Sequence, residues 1–523
     1  MATVLKDVLG RVPMAADLYD AVRGGRPRTR YNLEQLRSHL PLALEQARSF
    51  AARAPRGKRL LLFATLHYWI EQAVMVGLAL RGLGHDVTIA YLPYANFDKE
   101  INAFDLRRQD LYTRRVLQPL DGFVKVVSLL DVKPVEGLPP GLRQALDTSA
   151  AYDTMYREQV EDFDAASPLY SLRRERNERA LLSILRLLAD EAPETVLVPN
   201  GLVTELAVAY QAARHIGIDA VTYEFNDQRE QIWLAQNDIV MHQNTDALWA
   251  ARSSQPLSDG QRQVIAEFED ARSHARKYGK GTRFWQDVAP VGSQQLRETL
   301  GLDERPVVLL ATNVLGDSLT LGRHVFAESM AQWIERTVRY FAQRRDTQLV
   351  VRVHPGERLM KGPSIMGVIE RALPECPGQI HVVAPTEKVN TYDLMEIASL
   401  GLAYTTTVGM EMAMRGVPVV VAGNTHYRGR GFTFDPSSWE EYTGTLDSLL
   451  ANLPSHRLSP VQVENAWNYA YRFFFEFPLD FPWRLMHFWE DLDVWPLDRV
   501  LSSEGGQQFG QTFRYLAGDP LKW

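Results

Sequence analysis

Short apolar runs alternate along the chain with stretches of helical spacing, and glycine or proline separates them. Residues 60–63 form a continuous apolar run, which is typical of a strand buried on both faces of a sheet. Residues 70–81 are good helix formers, and Gly82 and Gly84 supply a helix stop. Residues 86–92, DVTIAYL, predict the next strand. This order predicts a right-handed βαβ unit and therefore a parallel sheet.

The same alternation continues in two series. The first predicts further strands and helices within residues 121–130, 178–201 and 205–225. Residues 230–290 are more polar, and the segment 271–293 predicts a connecting stretch. The second series follows in 296–313, 348–357, 378–385 and 401–423. We therefore expect an α/β fold with two Rossmann-like, doubly wound parallel-sheet domains that face a cleft.

The predicted boundaries follow these series. We expect four parts: an N-terminal helical extension (1–57), a first Rossmann-like domain on the acceptor side (58–290), a second that binds a nucleotide sugar (291–460), and an aromatic-rich tail that crosses back to the first domain (461–523). Two domains are also the natural expectation for 523 residues.

Composition narrows the class of protein. A net charge of −7 argues against nucleic acid as a partner, because phosphate binding needs a basic face. The single cysteine, Cys376, cannot form an internal disulfide, which fits a reducing compartment. The first 25 residues carry too many charges for a signal peptide, and no run approaches the length that spans a bilayer. We expect a cytoplasmic protein, with peripheral contact to the inner membrane face as an option.

Polar side chains follow several predicted strands, where ligands bind in open parallel sheets. In the second domain, His354-Pro355 follows a strand that also carries Arg352, and a histidine so placed can donate to a phosphate oxygen. The structural alternative is that this histidine donates its hydrogen bond to a backbone carbonyl and binds no ligand. The remaining strand-end residues are His67, Asn200, Glu224, Asn313, Thr405, Thr406 and Thr407.

Glu411 lies in the first turn of a short helix predicted at 408–415. A threonine is expected to cap this helix, whose N-terminus suits an anion such as a nucleotide phosphate. A capping box from Thr407 would need Glu or Gln at position 410, which is Met410. Glu411 therefore has two interpretations: a carboxylate favoured by the helix dipole, or an acceptor for a ribose diol.

Residues 300–436 resemble the nucleotide-binding half of GT-B glycosyltransferases, and more closely the capsule polysaccharide biosynthesis family that includes Kdo transferases. The segments that carry the resemblance are VVRVHPGE, YTTTVGMEMAMRGVPVVVAG and THYRGRGF. The resemblance implies that His354 holds the donor phosphate, Thr405 to Thr407 cap it, and Glu411 contacts the ribose. It places Arg428 or Arg430 near the leaving group.

On that resemblance we expect a metal-independent transferase of the hexosyl or Kdo type, with a nucleotide sugar as substrate and no cofactor. A CMP-sugar is favoured because bacterial sialyltransferases also use a His-Pro pair. Two alternatives stay open: a sugar-nucleotide 2-epimerase, and a non-catalytic protein that binds nucleotide or glycan. Retaining enzymes of this kind often carry a second glutamate eight positions before Glu411, where this chain has Ala403.

The catalytic base is expected on the first domain. His67 follows the first strand, and in some similar inverting transferases a histidine there takes the proton of the acceptor hydroxyl. Glu224 and Glu205 are the other candidates. Asn200-Gly201 predicts a tight turn near the acceptor, a glycan or a lipid-linked glycan. The structural alternative for His67 is packing with its aromatic neighbours.

Metal and membrane signals are weak. The Asp-x-Asp triplet at 491–493 lies in the tail, away from a nucleotide-binding sheet, and no cluster has zinc spacing. Residues 23–30 hold four arginines, and residues 465–489 are dense in aromatic side chains. A solvated loop explains the arginines, and packing explains the aromatic side chains. Contact with lipid is the alternative for both segments.

Overall fold

The computed structural model describes all residues except 1–11, 13, 24–29 and 282–287. The chain forms two compact units. The first comprises the described residues of Met1–Thr154, together with Asp164–Met241 and Leu479–Lys522. The second comprises Met155–Phe163, His242–Pro478 and Trp523. The chain thus enters the second unit well before residue 290, and it returns to the first unit within the predicted tail.

Twelve strands lie in the described part of the chain. They are β1 (Arg59–Thr65), β2 (Asp86–Leu92), β3 (Lys125–Ser128), β4 (Thr195–Pro199), β5 (Asp219–Phe225), β6 (Gln231–Gln236), β7 (Val307–Ala311), β8 (Gln348–Arg352), β9 (Ile380–Val383), β10 (Ala398–Ala403), β11 (Val419–Val421) and β12 (Leu479–Asp480).

Helices precede and separate these strands. They are α1 (Ala15–Arg23), α2 (Glu34–Ala51), α3 (His67–Gly82), α4 (Ala103–Leu117), α5 (Arg143–Glu158), α6 (Pro168–Glu191), α7 (Thr204–His215), α8 (Asp246–Arg252), α9 (Asp259–Ser273), α10 (Ser293–Leu300), α11 (Met330–Ala342), α12 (Ile365–Ala372), α13 (Thr391–Ile397), α14 (Val408–Met414), α15 (Trp439–Ala451), α16 (Pro460–Tyr471), α17 (Phe488–Val494), α18 (Leu497–Leu501) and α19 (Ser503–Leu516).

Each unit is built on one sheet. The first unit has the strand order β12-β6-β5-β4-β1-β2-β3, in which β1 to β5 are parallel and β6 and β12 run antiparallel to their neighbours. The second has the order β11-β10-β7-β8-β9, and all its strands are parallel. In both sheets the chain starts at a central strand, runs to one edge and returns to the other side. The strand order reverses between β1 and β4, and between β7 and β10, and such switch points are where ligands bind in open α/β sheets.

The predicted fold class, α/β with two doubly wound parallel sheets, is confirmed. The apolar runs predicted as buried strands are buried: residues 60–65 and all of β7 are shielded from solvent. Residues 230–290 contain β6, α8 and α9, which the sequence did not predict, because a mixed polar pattern hides an edge strand and two partly exposed helices. In the predicted connecting stretch, 271–293, α9 ends at Ser273 and α10 begins at Ser293.

A buried ion cluster joins three helices of the first unit. Arg173, on α6, has a fully buried side chain and donates to Asp153 Oδ2 at 2.9 Å. It also pairs with Glu205 Oε1 at 2.9 Å. Asn177 donates to the same oxygen of Asp153 at 2.9 Å. Because an unpaired buried charge is costly, this cluster holds α5, α6 and α7 in one arrangement.

We expect Arg173→Met to destabilise the first unit by about 3–5 kcal/mol, because it leaves two buried carboxylates without their cation. Urea unfolding followed by circular dichroism measures the effect. Arg174→Met is the matched control, since Arg174 lies on the same helix but is partly exposed and pairs with Asp147. Its cost should be about 0–1 kcal/mol. Equal costs for the two variants would contradict the assigned role of the cluster.

Candidate functional site

A cavity of about 260 Å³ lies at the carboxyl edge of the second unit's sheet. The strands β10, β7 and β8 are neighbours and end at this edge. Their ends and the adjoining helices supply the lining: Arg272, Ala311, Thr312, Arg352, His354, Pro355, Gly356, Arg358, Leu359, Thr391, Tyr392, Met395, Thr406, Thr407, Val408 and Glu411. Of the strand-end residues predicted for this unit, His354, Thr406 and Thr407 line the cavity, whereas Asn313 and Thr405 do not.

The charges of the lining are unequal. Arg272, Arg352 and Arg358 contribute three permanent cations, and Glu411 is the one carboxylate among the lining residues. Hydroxyl groups of four threonines and Tyr392 add hydrogen-bonding capacity. Guanidinium groups and hydroxyls are the side chains that bind phosphate and carboxylate oxygens. The cavity is therefore suited to an anionic ligand.

Two hydrogen bonds hold His354 at the cavity. Its backbone N–H donates to Thr312 Oγ1 at 3.0 Å, and the ring Nδ1 accepts from the backbone N–H of Gly356 at 3.0 Å. Because Nδ1 accepts, the neutral ring carries its proton on Nε2. The side chain is exposed. His354 thus presents a ring in the tautomer that donates through Nε2.

Arg352 lines the cavity but also anchors the chain that follows β9. The side chain is buried, with Nη1 donating to the carbonyl of Ala384 at 3.0 Å and Nη2 to that of Val389 at 3.2 Å. These bonds fix the guanidinium in place. Arg352 therefore contributes a positive charge whose position is set by the backbone.

The three threonines after β10 have different roles. Thr405 donates its N–H to Asn313 Oδ1 at 3.2 Å, so Asn313 positions the turn, and neither residue lines the cavity. Thr406 and Thr407 line it. Thr407 stands at the predicted N-cap position of α14 but makes no side-chain cap bond, and its hydroxyl donates to Glu411 Oε1 at 2.9 Å. The N–H of Val408, the first residue of α14, donates to Thr406 Oγ1 at 3.4 Å.

Glu411 is buried, and Arg272 Nη2 lies 3.0 Å from its Oε1. Arg272 is nearly as buried, and its guanidinium lies over the rings of Phe268 and Phe474, 5.2 and 5.0 Å from their centroids. Burial raises the pKa of the Tyr392 hydroxyl well above its ordinary value, and a hydrogen bond to Glu411 adds to this shift. The Glu411 carboxylate thus already has two protein partners, Thr407 and Arg272. The ribose contact predicted for it stays a prediction.

Sequence reasoning missed Arg272 because it lies in the stretch predicted as a connection. A signal was present. Ser258 and Gln261 form a capping box, in which Gln261 N–H donates to Ser258 Oγ and Ser258 N–H donates to Gln261 Oε1. Serine followed three residues later by glutamine marks the start of α9. That start places Arg272 in the last turn of the helix.

The two arginines of the THYRGRGF loop do not line the cavity. Arg428 donates to the carbonyls of Val421 and Asp435 at 2.9 and 2.8 Å, so it ties the loop to β11. Arg430 donates to Thr245 Oγ1 at 3.1 Å and pairs with Asp246. Both side chains are engaged in holding the loop. Their predicted place beside a leaving group remains a prediction.

In the first unit, predicted residues gather where β1, β4 and β5 end. His67 opens α3, and its ring lies edge-on to that of Tyr31, 6.2 Å between centroids. Two residues on, Trp69 stacks on Phe225 of β5 at 5.8 Å. Glu224, the residue before Phe225, therefore lies on the strand that packs against the start of α3. His67 and Glu224 share one edge of the sheet.

Asn200 and Gly201 form the tight turn predicted after β4. Asn200 Oδ1 accepts from the N–H of Leu202 at 3.0 Å, and its amide donates to Glu224 Oε2 at 2.8 Å. The φ of Gly201 is +78°, and a Cβ there would lie 2.7 Å from Thr222 Cγ2, so only glycine fits. Burial raises the pKa of the Glu224 carboxyl, and the Asn200 hydrogen bond opposes that shift.

Glu205 has a different environment. Its side chain is fully buried on α7 and pairs with Arg173 in the ion cluster. A carboxylate committed to a buried guanidinium is not placed to take a proton from an acceptor. The structure thus gives Glu205 a stabilising position, in contrast to the catalytic one expected from the sequence.

Residues 274–448 match the family model described as "Capsule polysaccharide biosynthesis protein". The resemblance stated from the sequence is confirmed over these residues, which include every lining residue of the cavity except Arg272. No curated protein matches the chain.

Several solved structures are distantly similar. KpsC from Thermosulfurimonas dismutans, a beta Kdo 2,4 transferase, is 16% identical over 53% of this chain and 79% of that chain, with a TM-score of 0.34. UDP-GlcNAc 2-epimerase from Neisseria meningitidis is 13% identical over 80% and 99%, with a TM-score of 0.28. MurG from Acinetobacter baumannii is 14% identical over 84% and 99%, with a TM-score of 0.27. At these values the likeness is too distant to carry a substrate or an activity to this chain.

Among the described residues, no helix has both the length and the apolar composition that a membrane span requires. Within the same residues, no group of three or more His, Cys, Asp or Glu side chains is placed to hold a metal ion. Asp491, in the predicted Asp-x-Asp triplet, accepts from the N–H of Arg484 at 2.8 Å and pairs with Arg229.

We expect Arg272→Met to destabilise the second unit by about 3–5 kcal/mol, because Glu411 would stay charged and buried without its cation. The double variant R272M/E411Q should be less destabilised than R272M, since glutamine removes that stranded charge. Urea unfolding measures both. Arg276→Met is the control, because Arg276 is exposed and pairs at the surface with Asp270. Additive costs in the double variant would show that the two side chains act independently.

Proposed function

We propose that the chain is a glycosyltransferase of capsule or surface polysaccharide synthesis, and that its second unit binds a nucleotide-sugar donor in the cavity at the end of β7, β8 and β10. The observation that carries this proposal is the lining: three arginines and a donating histidine face one carboxylate at the switch point of a doubly wound sheet. The match of residues 274–448 to the capsule family supports the same assignment.

In this proposal His354 Nε2–H donates to a phosphate oxygen of the donor. Arg352 and Arg358 stabilise the negative charge that grows on that phosphate as the glycosidic bond breaks. The acceptor hydroxyl loses its proton and forms the new bond to the anomeric carbon. The nucleotide leaves with the bonding electron pair. Charge stabilisation by arginine needs no metal ion, so we propose a metal-independent transfer.

We favour a CMP-sugar as donor, on the resemblance of the His354-Pro355 pair. A nucleotide panel tests the donor class. Thermal unfolding with CMP, UDP, GDP and ADP should give a raised midpoint with one nucleotide only, since a ligand at one hundred times its Kd stabilises the folded state by about 2.7 kcal/mol. His354→Ala should abolish the shift, because it removes the Nε2 donor.

His456→Ala is the matched control, because His456 is partly exposed in the same unit and does not line the cavity. It should keep the shift. A shift with CMP alone supports the CMP-sugar donor, and a shift with UDP alone replaces that donor within the same site. A shift that survives His354→Ala contradicts the site. Conversion of a UDP-sugar to its epimer without an acceptor would favour the epimerase instead, and the absence of any shift would favour the non-catalytic alternative.

We further propose that the first unit supplies the base, with His67 and Glu224 as the candidates. The raised pKa of Glu224 brings its carboxyl closer to the range in which a general base works at neutral pH. Loss of the base should lower kcat by about 10²–10⁴-fold with little change in KM for the donor.

The variants His67→Ala and Glu224→Gln, assayed for sugar transfer across pH, separate the two candidates. The variant that removes the base should also remove the acidic limb of the pH–rate profile. If Glu224 is the base, that limb should lie at a higher pH than an ordinary glutamate gives. His242→Ala is a control outside both sites. Full turnover in both test variants would overturn the assignment of the base.

A further inference from the structure

The THYRGRGF loop (425–432) runs beside the turn that carries the three threonines. β10 and β11 are parallel neighbours, and their pairing continues past the ends of the strands. The N–H of Gly423 donates to the carbonyl of Tyr404 at 3.2 Å. Thr425 Oγ1 donates to the carbonyl of Thr405 at 3.4 Å. The chain after β11 therefore follows the backbone of the turn residue by residue.

Tyr427 makes the next contact, at the wall of the cavity. Its hydroxyl donates to the carbonyl of Thr406 at 2.7 Å, and Thr406 lines the cavity. The same carbonyl accepts the N–H of Gly409 at 3.3 Å, in the first turn of α14. The side chain of Tyr427 is fully buried, and a buried hydroxyl that loses its partner costs free energy. This bond therefore fixes the backbone where the turn enters α14.

Gly409 provides the space for the tyrosine hydroxyl. A Cβ at this position would overlap Tyr427 Oη and would lie 3.0 Å from the Cβ of Ala403. Glycine is a weak helix former, and alanine would favour the helix by about 1 kcal/mol. A glycine in the first turn of α14 is explained by the hydroxyl that occupies the place of its side chain. The loop and the turn thus fit together at one point of contact.

We infer that Tyr427 is a positioning residue for the cavity. It does not line the cavity, and it acts through the backbone of Thr406, which does. By fixing that backbone it holds the hydroxyls of Thr406 and Thr407 at the cavity wall. The THYRGRGF loop would then serve the site through its tyrosine, while its arginines hold the loop itself. The effect on nucleotide binding rests on the proposed function, because donors already held in place bind a ligand without the cost of ordering them.

Hydrogen–deuterium exchange of the full chain tests the positioning without any ligand. Tyr427→Phe removes the hydroxyl and keeps the ring. Amide exchange in residues 405–411 should become about tenfold faster, because the turn loses a buried hydrogen bond and opens more often. Gly409→Ala is a second variant, since its Cβ would displace the same hydroxyl. It should also speed exchange in this segment, and it decides the question if Tyr427→Phe does not fold.

Tyr442→Phe is the matched control. Tyr442 is also buried in the second unit, its hydroxyl lies 2.9 Å from Thr337 Oγ1, and it does not line the cavity. The control loses a comparable hydrogen bond, so it should lower stability and leave exchange in residues 405–411 unchanged. Equal exchange in this segment for Tyr427→Phe and Tyr442→Phe would overturn the inference.

Calorimetric titration with CMP, UDP, GDP and ADP then tests the consequence for binding. Tyr427→Phe should bind the nucleotide that the unchanged chain binds about tenfold more weakly, whereas Tyr442→Phe should keep the full affinity. Full affinity in Tyr427→Phe would overturn its role in the site. If the unchanged chain bound none of the four, the proposed function would fail. Faster exchange in Tyr427→Phe would still support its hold on the cavity wall.

Discussion

Strands that are buried on both faces leave only their ends for polar chemistry, and this constraint organises both units. Every residue of β7 and β8 is buried. A polar group inside such a strand would lose water without gaining a partner, which costs free energy. The side chains that can bind or react therefore lie at or just beyond the ends of the strands. His354 and Thr406 follow strands of one sheet. In the other sheet, His67 follows β1, and Glu224 is the residue before the last of β5.

Buried charge then decides which helices join these edges. In the second unit, Arg272 and Glu269 of α9 pair with Glu411 and Arg415 at α14. Burial raises the pKa of the Glu269 carboxyl, and Arg415 opposes that shift. Two opposite pairs between the same two helices leave little freedom of register, because any slip would leave three buried charges and one half-buried charge without partners. In this way α9, which belongs to neither face of the predicted βαβ pattern, becomes part of the cavity wall.

The sequence predicted the strands and their ends because continuous apolar runs and glycine stops are local signals. It predicted that His354 and Thr406 lie together, because parallel neighbouring strands end at one edge. It did not predict Arg272 or Tyr392 in the lining, because long-range packing brings α9 and α13 to that edge. It also missed Arg358, which lies in the short turn after His354. Nor did it separate Glu205 from Glu224. Both are acidic residues beside a strand end, and only the buried Arg173, distant in sequence, commits Glu205 to the core.

The pairing of Glu411 bears on how a ligand would bind. Its Oε1 already accepts from Thr407 and pairs with Arg272, so a ribose hydroxyl would add to this set and not replace it. Loss of either partner would leave the buried carboxylate incompletely paired, whereas an added neutral donor carries no such cost. A negative group has the opposite preference: it would be repelled by Glu411 and drawn to His354 and Arg358. Under the proposed function, the neutral ribose diol of the nucleotide would meet Glu411, and its charged phosphate would meet His354 and Arg358.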